Sequence, residues 1–306
     1  MKLACDVNGS TKMIGILGNP LENSILPQLH NTISRMFGFN LIYIPFCVDE
    51  DKLGEAILGL RALNVLGFNI TKPYKKEVMK YIDDNMRFSF LMGAIDTVKN
   101  IDGRLYGYNI DVEGFIRAAK DANLDFKNKI VTIFGAEGEA RAIAVKLASN
   151  KVSKINIINR TTDEAKNIKS TINDNIEEVV DIYTYNDKKF LDICKESDVL
   201  INATSLGMFP DTKKSIICDE KIFKKNQFVY DIVYNPKSSM FLEMAKKKGC
   251  KTIDGLGMIF HQGILSYEIW TGYKFNNNEI NKIYDLFKQN RFNKGWLFVW
   301  IKMKKI

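Results

Sequence analysis

The sequence has few of the residues that metal centres, disulfide scaffolds and histidine-dependent active sites require. Its two histidines, His30 and His261, belong to no His-Glu-x-x-His or Cys/His cluster, so neither a metal site nor a histidine-dependent triad is expected. The five cysteines are odd in number, widely spaced and never separated by two residues, which argues against disulfides and zinc. Acid–base chemistry is therefore left to Lys, Asp, Glu or Tyr.

Long apolar runs are also missing. The most continuous ones, at 90–95 and 297–301, fall far short of the roughly 18 residues that cross a bilayer, so no membrane span is predicted. At the start of the chain, Asp6, Asn8 and Gly9 interrupt the apolar residues before they reach the length of a signal peptide. We therefore expect a cytoplasmic protein.

What is present is a composition typical of globular proteins, with 46% hydrophobic and 26% charged residues and no low-complexity tract. The length of 306 residues is about twice that of a typical domain, which favours two domains. The net charge of +8 is modest and spread along the chain. It suits the attraction of small anions, whereas nucleic-acid binding would require a denser basic surface.

Short β-rich runs alternate with helical patterns in two sets. The first set has strands predicted at 13–18, 40–48 and 65–71, and helices at 27–37, 50–63 and 73–83. The second set has strands predicted at 130–134, 155–159, 199–203 and 228–234. Such alternation predicts parallel sheets covered by helices, hence two α/β units, with the polar segment 121–128 as a connector. The stretch from Lys274 onward is predicted to form a helix and a tail.

A glycine-rich turn follows the strand predicted at 130–134. It reads Gly135-Ala136-Glu137-Gly138-Glu139-Ala140 and leads into a helix with apolar residues at 140, 143, 144, 147 and 148. In this context the turn presents backbone N–H groups and a helix N-terminus to a dinucleotide diphosphate. The motif alone is weak, and a plain strand-to-helix turn is the alternative.

The residues after the next predicted strand favour NADP over NAD. A NAD-specific unit would place Asp or Glu there to bind the ribose hydroxyls, but the chain reads Asn159-Arg160-Thr161. An arginine with amide and hydroxyl neighbours suits a 2′-phosphate. We therefore predict NADP as the cofactor.

Several short segments form an ordered set along the chain. They lie at 23–31, 67–75, 93–98, 107–115, 202–208, 230–236 and 254–263, and include Asn69-Ile70-Thr71-Lys72-Pro73-Tyr74-Lys75 and Asn109-Ile110-Asp111. The set resembles the shikimate dehydrogenase family over residues 13–272. An ordered set is far more specific than any single motif.

The resemblance implies an NADP-linked enzyme that reduces 3-dehydroshikimate to shikimate in aromatic amino-acid biosynthesis. It implies an α/β fold of two domains, with a substrate-binding domain built from both chain ends, at 1–112 and 250–306, around an inserted Rossmann NADP-binding domain at 113–249. It also implies a small-molecule substrate, no nucleic-acid or membrane partner, and a monomer or homodimer.

The resemblance further assigns roles to residues at matching positions. Lys75 and Asp111 are implied as the catalytic pair. The implied substrate ligands are Ser24, Asn69, Thr71, Asp96, Tyr234 and Gln262. The implied cofactor contacts are Gly135, Ala136, Glu137, Gly138, Glu139, Ala140, Asn159, Arg160, Thr161, Thr204, Ile232, Gly255 and Met258.

The chemistry of Lys75 and Asp111 suits this assignment without the family. Reduction of a ring ketone requires a proton for the developing alkoxide, and Lys75 oriented by Asp111 can supply it. Each residue also has an ordinary explanation, Lys75 as a solvated lysine and Asp111 as an acid in the first turn of a helix. Equally, Ser24 can be a helix cap, Tyr234 can pack on a sheet, and Gln262 can face solvent.

Three departures from the family pattern bear on function. Leu26 stands where the family usually has a second serine, so we expect weaker recognition of the substrate carboxylate. Asp96 stands where the family has asparagine, and we expect it to lie near the catalytic pair and to titrate together with it. Glu137 and Glu139 replace small residues of the turn. We expect Glu137 to hinder the cofactor more, and Glu139 to be harmless if it points into solvent.

Two alternatives to a shikimate dehydrogenase stay open at this point. One is a family member that prefers a close relative of shikimate, such as quinate. The other is a non-catalytic ligand-sensing or scaffold protein that kept the fold. The joint presence of Lys75, Asp111, Asn69, Thr71 and Gln262 favours an enzyme, because drift would not spare the reacting residues selectively.

Overall fold

The computed structural model describes residues 7–22, 24–85 and 87–292, which form two six-stranded β-sheets covered by helices. The first sheet contains β1 (Lys12–Gly18), β2 (Leu41–Cys47), β3 (Gly67–Ile70), β4 (Asp84–Asn85), β5 (Thr97–Ile101) and β6 (Arg104–Tyr108). The helices of this part are α1 (Leu26–Phe37), α2 (Leu53–Ala62), α3 (Arg87–Met92) and α4 (Asp111–Asp121).

The second sheet contains β7 (Ile130–Phe134), β8 (Lys154–Ile158), β9 (Val180–Tyr183), β10 (Val199–Asn202), β11 (Phe228–Asp231) and β12 (Lys251–Ile253). Its helices are α5 (Gly138–Ser149), α6 (Asp163–Asn175), α7 (Phe190–Glu196) and α8 (Met240–Lys247). Two further helices, α9 (Leu256–Thr271) and α10 (Asn277–Phe292), follow the last strand. None of the helices in the described ranges is long and apolar enough to cross a membrane.

The first sheet has the strand order β2-β1-β3-β5-β6-β4. β1, β2 and β3 run parallel, as predicted, but β5 is antiparallel to β3 and to β6, so the sheet is mixed. The reason is a hairpin in which Asp102 and Gly103 form a two-residue turn with φ values of 50° and 83°. Such turns reverse the chain directly and leave no room for a crossover helix.

The helix predicted at 73–83 is wrong. Only a short 3₁₀ segment, Glu77–Tyr81, forms there. The backbone closes separate turns, because Tyr74 N–H donates to the Thr71 carbonyl and Val78 N–H donates to the Tyr74 carbonyl. Because the backbone forms consecutive single turns and no helix here, Lys75 lies close to the end of β3.

The second sheet is parallel throughout, in the order β12-β11-β10-β7-β8-β9. The strands predicted at 130–134, 155–159, 199–203 and 228–234 are confirmed as β7, β8, β10 and β11, whereas the short β9 and β12 were not predicted. β7 lies between β8 and β10, so the direction in which the chain adds strands reverses there. In parallel α/β sheets, ligands bind at the carboxyl ends of the strands beside this reversal.

After β12 the chain returns to the first sheet. Phe260, Ile264 and Tyr267 of α9 lie in one hydrophobic cluster with residues of β1 and α1, and Trp270 Nε1 donates to the Val98 carbonyl of β5 at 2.9 Å. The helix predicted after Lys274 is present as α10, while the predicted tail beyond residue 292 lies outside the described residues.

The expected domain boundaries stay predictions, and two elements of the structure bear on them. A boundary at residue 250 precedes β12, which pairs with β11 in the second sheet, so the return begins after Ile253. A boundary at residue 112 cuts the continuous helix α4, whose first residue is Asp111. The connector between the units is the segment after α4, as its polar composition predicts.

Candidate active site

The segments that follow the carboxyl ends of both sheets line a shared cavity of about 330 Å³. Of the predicted site residues, its wall includes Ser24, Asn69, Thr71, Lys75, Asp111, Glu137, Glu139, Thr204, Ile232, Tyr234, Met258 and Gln262. A second cavity of about 610 Å³ also borders Lys75 and Asp111 and adds Ala136 and Gly138. Side chains predicted to bind substrate and side chains predicted to bind cofactor thus meet at Lys75.

Lys75 donates to one carboxylate from each unit. Its Nζ lies 2.5 Å from Oδ2 of Asp111 and 3.4 Å from Oε1 of Glu139, in the first turn of α5. Burial lowers the pKa of Lys75, but attraction to Asp111 and Glu139 outweighs it, so the pKa lies above its ordinary value. Lys75 is therefore an ammonium at neutral pH and can donate a proton.

Asp96 is fully buried behind this pair. Its Oδ2 accepts hydrogen bonds from the backbone N–H groups of Ile110 and Asp111, each at 2.9 Å. Burial and then repulsion from Asp111 raise the pKa of Asp96 to about 7, although Lys75 favours its charged form. The expected proximity to the pair is therefore confirmed, but the carboxylate faces the start of α4, where N–H groups lack partners within the helix. That Asp96 contacts the substrate stays a prediction, although its carboxylate already accepts from two backbone N–H groups.

Asn69 is held by side chains that the sequence analysis did not identify. Its Oδ1 accepts from the Tyr43 hydroxyl at 2.8 Å, and its Nδ2 donates to Thr97 Oγ1 at 2.9 Å and to Ser266 Oγ at 2.8 Å. Asn69 borders the cavity although it is only 1% exposed. The three partners come from β2, β5 and α9, so no local pattern could have revealed them.

Ser24 and Leu26 form the part of the wall at the start of α1. The Oγ of Ser24 accepts from the Leu26 N–H at 3.4 Å, so Ser24 contacts the start of α1 and also borders the cavity. Leu26 is buried and packs in the cluster that contains Leu29 and Phe260. At this place the wall therefore presents an isobutyl group, which cannot form hydrogen bonds.

The backbone of the glycine-rich turn suits a dinucleotide. Gly135 has a φ of 106°, and a Cβ there would lie 2.7 Å from Cγ2 of Thr204, so this close approach requires glycine. α5 begins three residues later at Gly138, and Ala140 is fully buried beneath the turn. The first N–H groups of such a helix have no partner within it and attract anions.

The two glutamates of the turn differ in their surroundings. Glu137, expected to be the greater obstacle, is exposed in an extended conformation with φ −79°, which carries no strain. Glu139 does not point into solvent but reaches Lys75. Burial raises the pKa of Glu139, but attraction to Lys75 and Lys72 outweighs it and leaves the pKa below its ordinary value. The expectation that Glu139 points into solvent is therefore wrong, whereas the greater hindrance by Glu137, which borders both cavities, stays a prediction.

The remaining predicted cofactor residues flank the turn. Asn159, Arg160 and Thr161 directly follow β8, whose last residue pairs with the last residue of β7. Arg160 is exposed, and Asn159 Nδ2 donates to the Thr161 carbonyl at 3.1 Å. On the other side, Gly255 lies so close to the Ile232 carbonyl that a Cβ would be 2.0 Å from its oxygen.

A buried polar network that the sequence analysis passed over supports the loops after β10 and β11. Asn202 Nδ2 donates to Asp231 Oδ1 at 2.9 Å, and Asn202 Oδ1 accepts from the Thr204 hydroxyl at 2.7 Å. Asp231 also accepts from the Val233 N–H and the Ser239 hydroxyl, and burial raises its pKa to about 6. Asn202 and Asp231 lie in the segments that carry the family resemblance, which was the signal available for finding them.

Fold and site together define a class of protein. A parallel sheet with a glycine turn at its reversal point binds a dinucleotide, and the adjoining cavity holds a protonated lysine paired with a carboxylate. These are the parts of a dinucleotide-dependent oxidoreductase that interconverts a ketone and an alcohol.

Comparison with known proteins gives the family. The profile for the shikimate dehydrogenase substrate binding domain matches residues 16–98, and the profile for shikimate / quinate 5-dehydrogenase matches residues 117–238. The chain is 40% identical over 266 residues to the shikimate dehydrogenase (NADP(+)) of Alkaliphilus oremlandii. The aligned residues cover 87% of this chain and 93% of the relative. The chain belongs to the shikimate dehydrogenase family.

Solved structures agree with this assignment. One is shikimate 5-dehydrogenase from Listeria monocytogenes in complex with shikimate and NAD, which superposes on this chain with a TM-score of 0.86 at 33% identity. The superposition covers 91% of this chain and 98% of the Listeria chain. Another is shikimate 5-dehydrogenase from Thermus thermophilus in complex with NADP(H) and shikimate, with a TM-score of 0.78 at 26% identity. This superposition covers 90% of this chain and 99% of the Thermus chain.

Proposed function

We propose that this protein catalyses the reversible, NADP-dependent reduction of 3-dehydroshikimate to shikimate, with Lys75 as proton donor and Asp111 as its partner. The observation that carries the proposal is the 2.5 Å contact between Lys75 and Asp111 in a cavity whose other wall belongs to the dinucleotide-binding sheet. The NADP-dependent activity named for the relative from Alkaliphilus oremlandii supports it.

NADPH, held by the glycine-rich turn and Arg160, would supply the hydride for reduction of the substrate carbonyl, and negative charge would then develop on the carbonyl oxygen. The Lys75 ammonium stabilises that charge and gives up a proton to the oxygen. Asp111 holds the ammonium by an ion pair and compensates its charge, while Asp96 anchors the helix start from which Asp111 projects. In the reverse direction Lys75 must first lose its proton, and its neutral amine then accepts the proton of the substrate hydroxyl.

The substrate hydroxyls and carboxylate require several polar partners around Lys75. We assign Ser24, Asn69, Thr71, Tyr234 and Gln262 to this role, because all five border the same cavity. The Tyr43 hydroxyl and Ser266 position the Asn69 amide. Leu26 removes one hydroxyl from this wall, and we expect a less firmly held carboxylate as a result.

The residues of the second sheet fit NADP. The turn that begins at Gly135 lets a diphosphate approach the start of α5, and the exposed Arg160 would hold the 2′-phosphate between Asn159 and Thr161. Thr204, Ile232, Gly255 and Met258 would border the nicotinamide end. We further propose that the first sheet with α1, α4 and α9 holds the substrate and the second sheet holds the cofactor, with Gly255 and Met258 reaching the cofactor from the segment after β12.

We propose action in the cytoplasm, as a monomer or homodimer. The cysteines in the described part of the chain, Cys47, Cys194, Cys218 and Cys250, are all free thiols, which suits a reducing compartment. The substrate is a small molecule, and the modest net charge of +8 gives no reason to expect a nucleic-acid partner.

Oxidation of quinate is the second candidate function. The observation that favours it is the family profile matched by residues 117–238, whose description joins shikimate and quinate. Quinate carries one more ring hydroxyl than shikimate, so it would need a further polar partner in the cavity.

A direct assay tests the proposal. Purified protein is mixed with shikimate or quinate and with NADP or NAD, and the absorbance of the reduced nicotinamide is followed. We expect the highest kcat/KM for shikimate with NADP. A higher kcat/KM for quinate would support the second candidate, and no turnover with any pair would refute both.

A further inference from the structure

Glu139 links the two units through the residue proposed to perform proton transfer. It is the second residue of α5, in the second unit, and its Oε1 lies 3.4 Å from Nζ of Lys75 in the first unit. Only 23% of the Glu139 side chain is exposed. Attraction to Lys75 and also to Lys72 holds the pKa of Glu139 down against the effect of burial, so the carboxylate is charged at neutral pH.

The same side chain lies in the first turn of α5, just after the glycine-rich turn, and borders both cavities. The first N–H groups of α5 have no partner within the helix. These are the groups that receive a diphosphate in a dinucleotide-binding unit. Glu137, two residues earlier, is exposed and forms no side-chain cap on α5.

Two anions cannot share this position favourably. A dinucleotide diphosphate at the start of α5 would lie against the Glu139 carboxylate, and repulsion between like charges at such distances is strong where water is largely excluded. The carboxylate must therefore turn away, and its contact with Lys75 is lost. Lys75 then keeps Asp111 as its carboxylate partner.

We propose that Glu139 is a built-in competitor of the cofactor diphosphate, which also ties Lys75 to the second unit until the cofactor displaces it. The proposal rests on the proposed function, since it takes NADP as the cofactor and Lys75 as the proton donor. It explains the pairing of Glu139 with Lys75, which an acid that merely stabilises the start of a helix would not need.

The test compares Glu139→Gln with Glu113→Gln in binding titrations without substrate. Glu113 is the matched control, because it also pairs across two helices with a lysine, Lys146, but borders neither cavity. The ligands are NADP, NAD and adenosine 2′-monophosphate, which carries the 2′-phosphate but no diphosphate. Glu139→Ala serves as a second variant if the glutamine variant folds poorly, and melting temperatures with and without NADP report on folding.

We expect Glu139→Gln to lower the Kd of both NADP and NAD about tenfold, which corresponds to about 1.4 kcal/mol. The Kd of adenosine 2′-monophosphate should not change, and Glu113→Gln should leave all three values unchanged. The rise in melting temperature on adding NADP should be larger for Glu139→Gln than for the wild-type protein, because tighter binding stabilises the folded state more.

The proposal is overturned if Glu139→Gln leaves the Kd of NADP unchanged or raises it. It is also overturned if the variant tightens adenosine 2′-monophosphate as much as NADP, since the effect would then not be local to the diphosphate. These titrations contain no substrate. An absence of shikimate turnover would therefore refute the proposed function while the competition by Glu139 stayed measurable.

Discussion

Replacing Asp96 by asparagine removes a buried carboxyl group whose pKa is raised from 3.8 to about 7. The folded protein thus holds a proton on Asp96 more tightly than the unfolded chain does. Asp96 therefore makes the free energy of unfolding decrease as pH rises from about 4 to about 7, and the loss is complete above that range. Asparagine cannot ionise, so the variant lacks this pH dependence.

The size of the effect follows from the same pKa. Each pKa unit corresponds to about 1.4 kcal/mol, so ionisation of Asp96 costs the folded state up to about 4 kcal/mol. The N–H groups of Ile110 and Asp111 form weaker hydrogen bonds with an amide than with a carboxylate, and this lowers the free energy of unfolding of the variant. The loss makes the variant less stable relative to wild type but does not remove the pH trend.

Thermal unfolding between about pH 5 and about pH 8 measures the trend. We expect the melting temperature of Asp96→Asn, relative to wild type, to rise with pH up to about 7 and then to level off. Asp192→Asn, at an exposed position on α7, is the control and should show no such rise. A difference between Asp96→Asn and wild type that is constant over this range would refute the reasoning. Because Asp96 is fully buried and bonded to the start of α4, we also expect the KM for shikimate to stay unchanged while the pH profile of kcat/KM shifts.

Three further substitutions test individual parts of the site. Arg160→Ala should raise the Kd of NADP about tenfold or more and leave that of NAD unchanged in binding titrations, since only NADP carries the 2′-phosphate. Leu26→Ser should lower the KM for shikimate about tenfold in steady-state assays, because a hydroxyl regains a bond to the carboxylate; an unchanged KM would mean that the carboxylate binds elsewhere. Gly135→Ala should lower the free energy of unfolding by about 1–3 kcal/mol in denaturant titrations, given the φ of 106°. Equal stability of this variant and wild type would show that the turn tolerates a side chain.

The parallel parts of the fold could be predicted from the sequence. Buried strands of a parallel sheet are short apolar runs, and those at 130–134 and 199–203 stand out from the polar segments around them. The hairpin of the first sheet was missed although Asp102-Gly103 is a turn signal, because its strands, with Lys99, Asn100 and Arg104, are not uniformly apolar. The edge strands β9 and β12 are too short for any pattern to emerge.

The active-site residues were predictable only as members of motifs. Lys75 and Asp111 belong to segments whose order along the chain indicates the family, yet their contact depends on how the turn after β3 meets the start of α4. The approach of Glu139 to Lys75 joins residues 64 positions apart in different units, and no local pattern encodes it. The direction of the Glu139 side chain depends on Lys75 in the opposing unit. It could therefore not be predicted from the residues around Glu139.

The central claim is that Lys75 transfers the proton, and the kcat of Lys75→Ala tests it most directly. Shikimate oxidation by NADP is measured for the wild-type protein, for Lys75→Ala and for Lys76→Ala, whose side chain is exposed next to Lys75. We predict that Lys75→Ala lowers kcat about 100-fold or more while the KM for shikimate changes little, because proton transfer to Lys75, as general base in this direction, acts in the transition state. Lys76→Ala should retain the wild-type kcat. A near-normal kcat for Lys75→Ala would contradict the account.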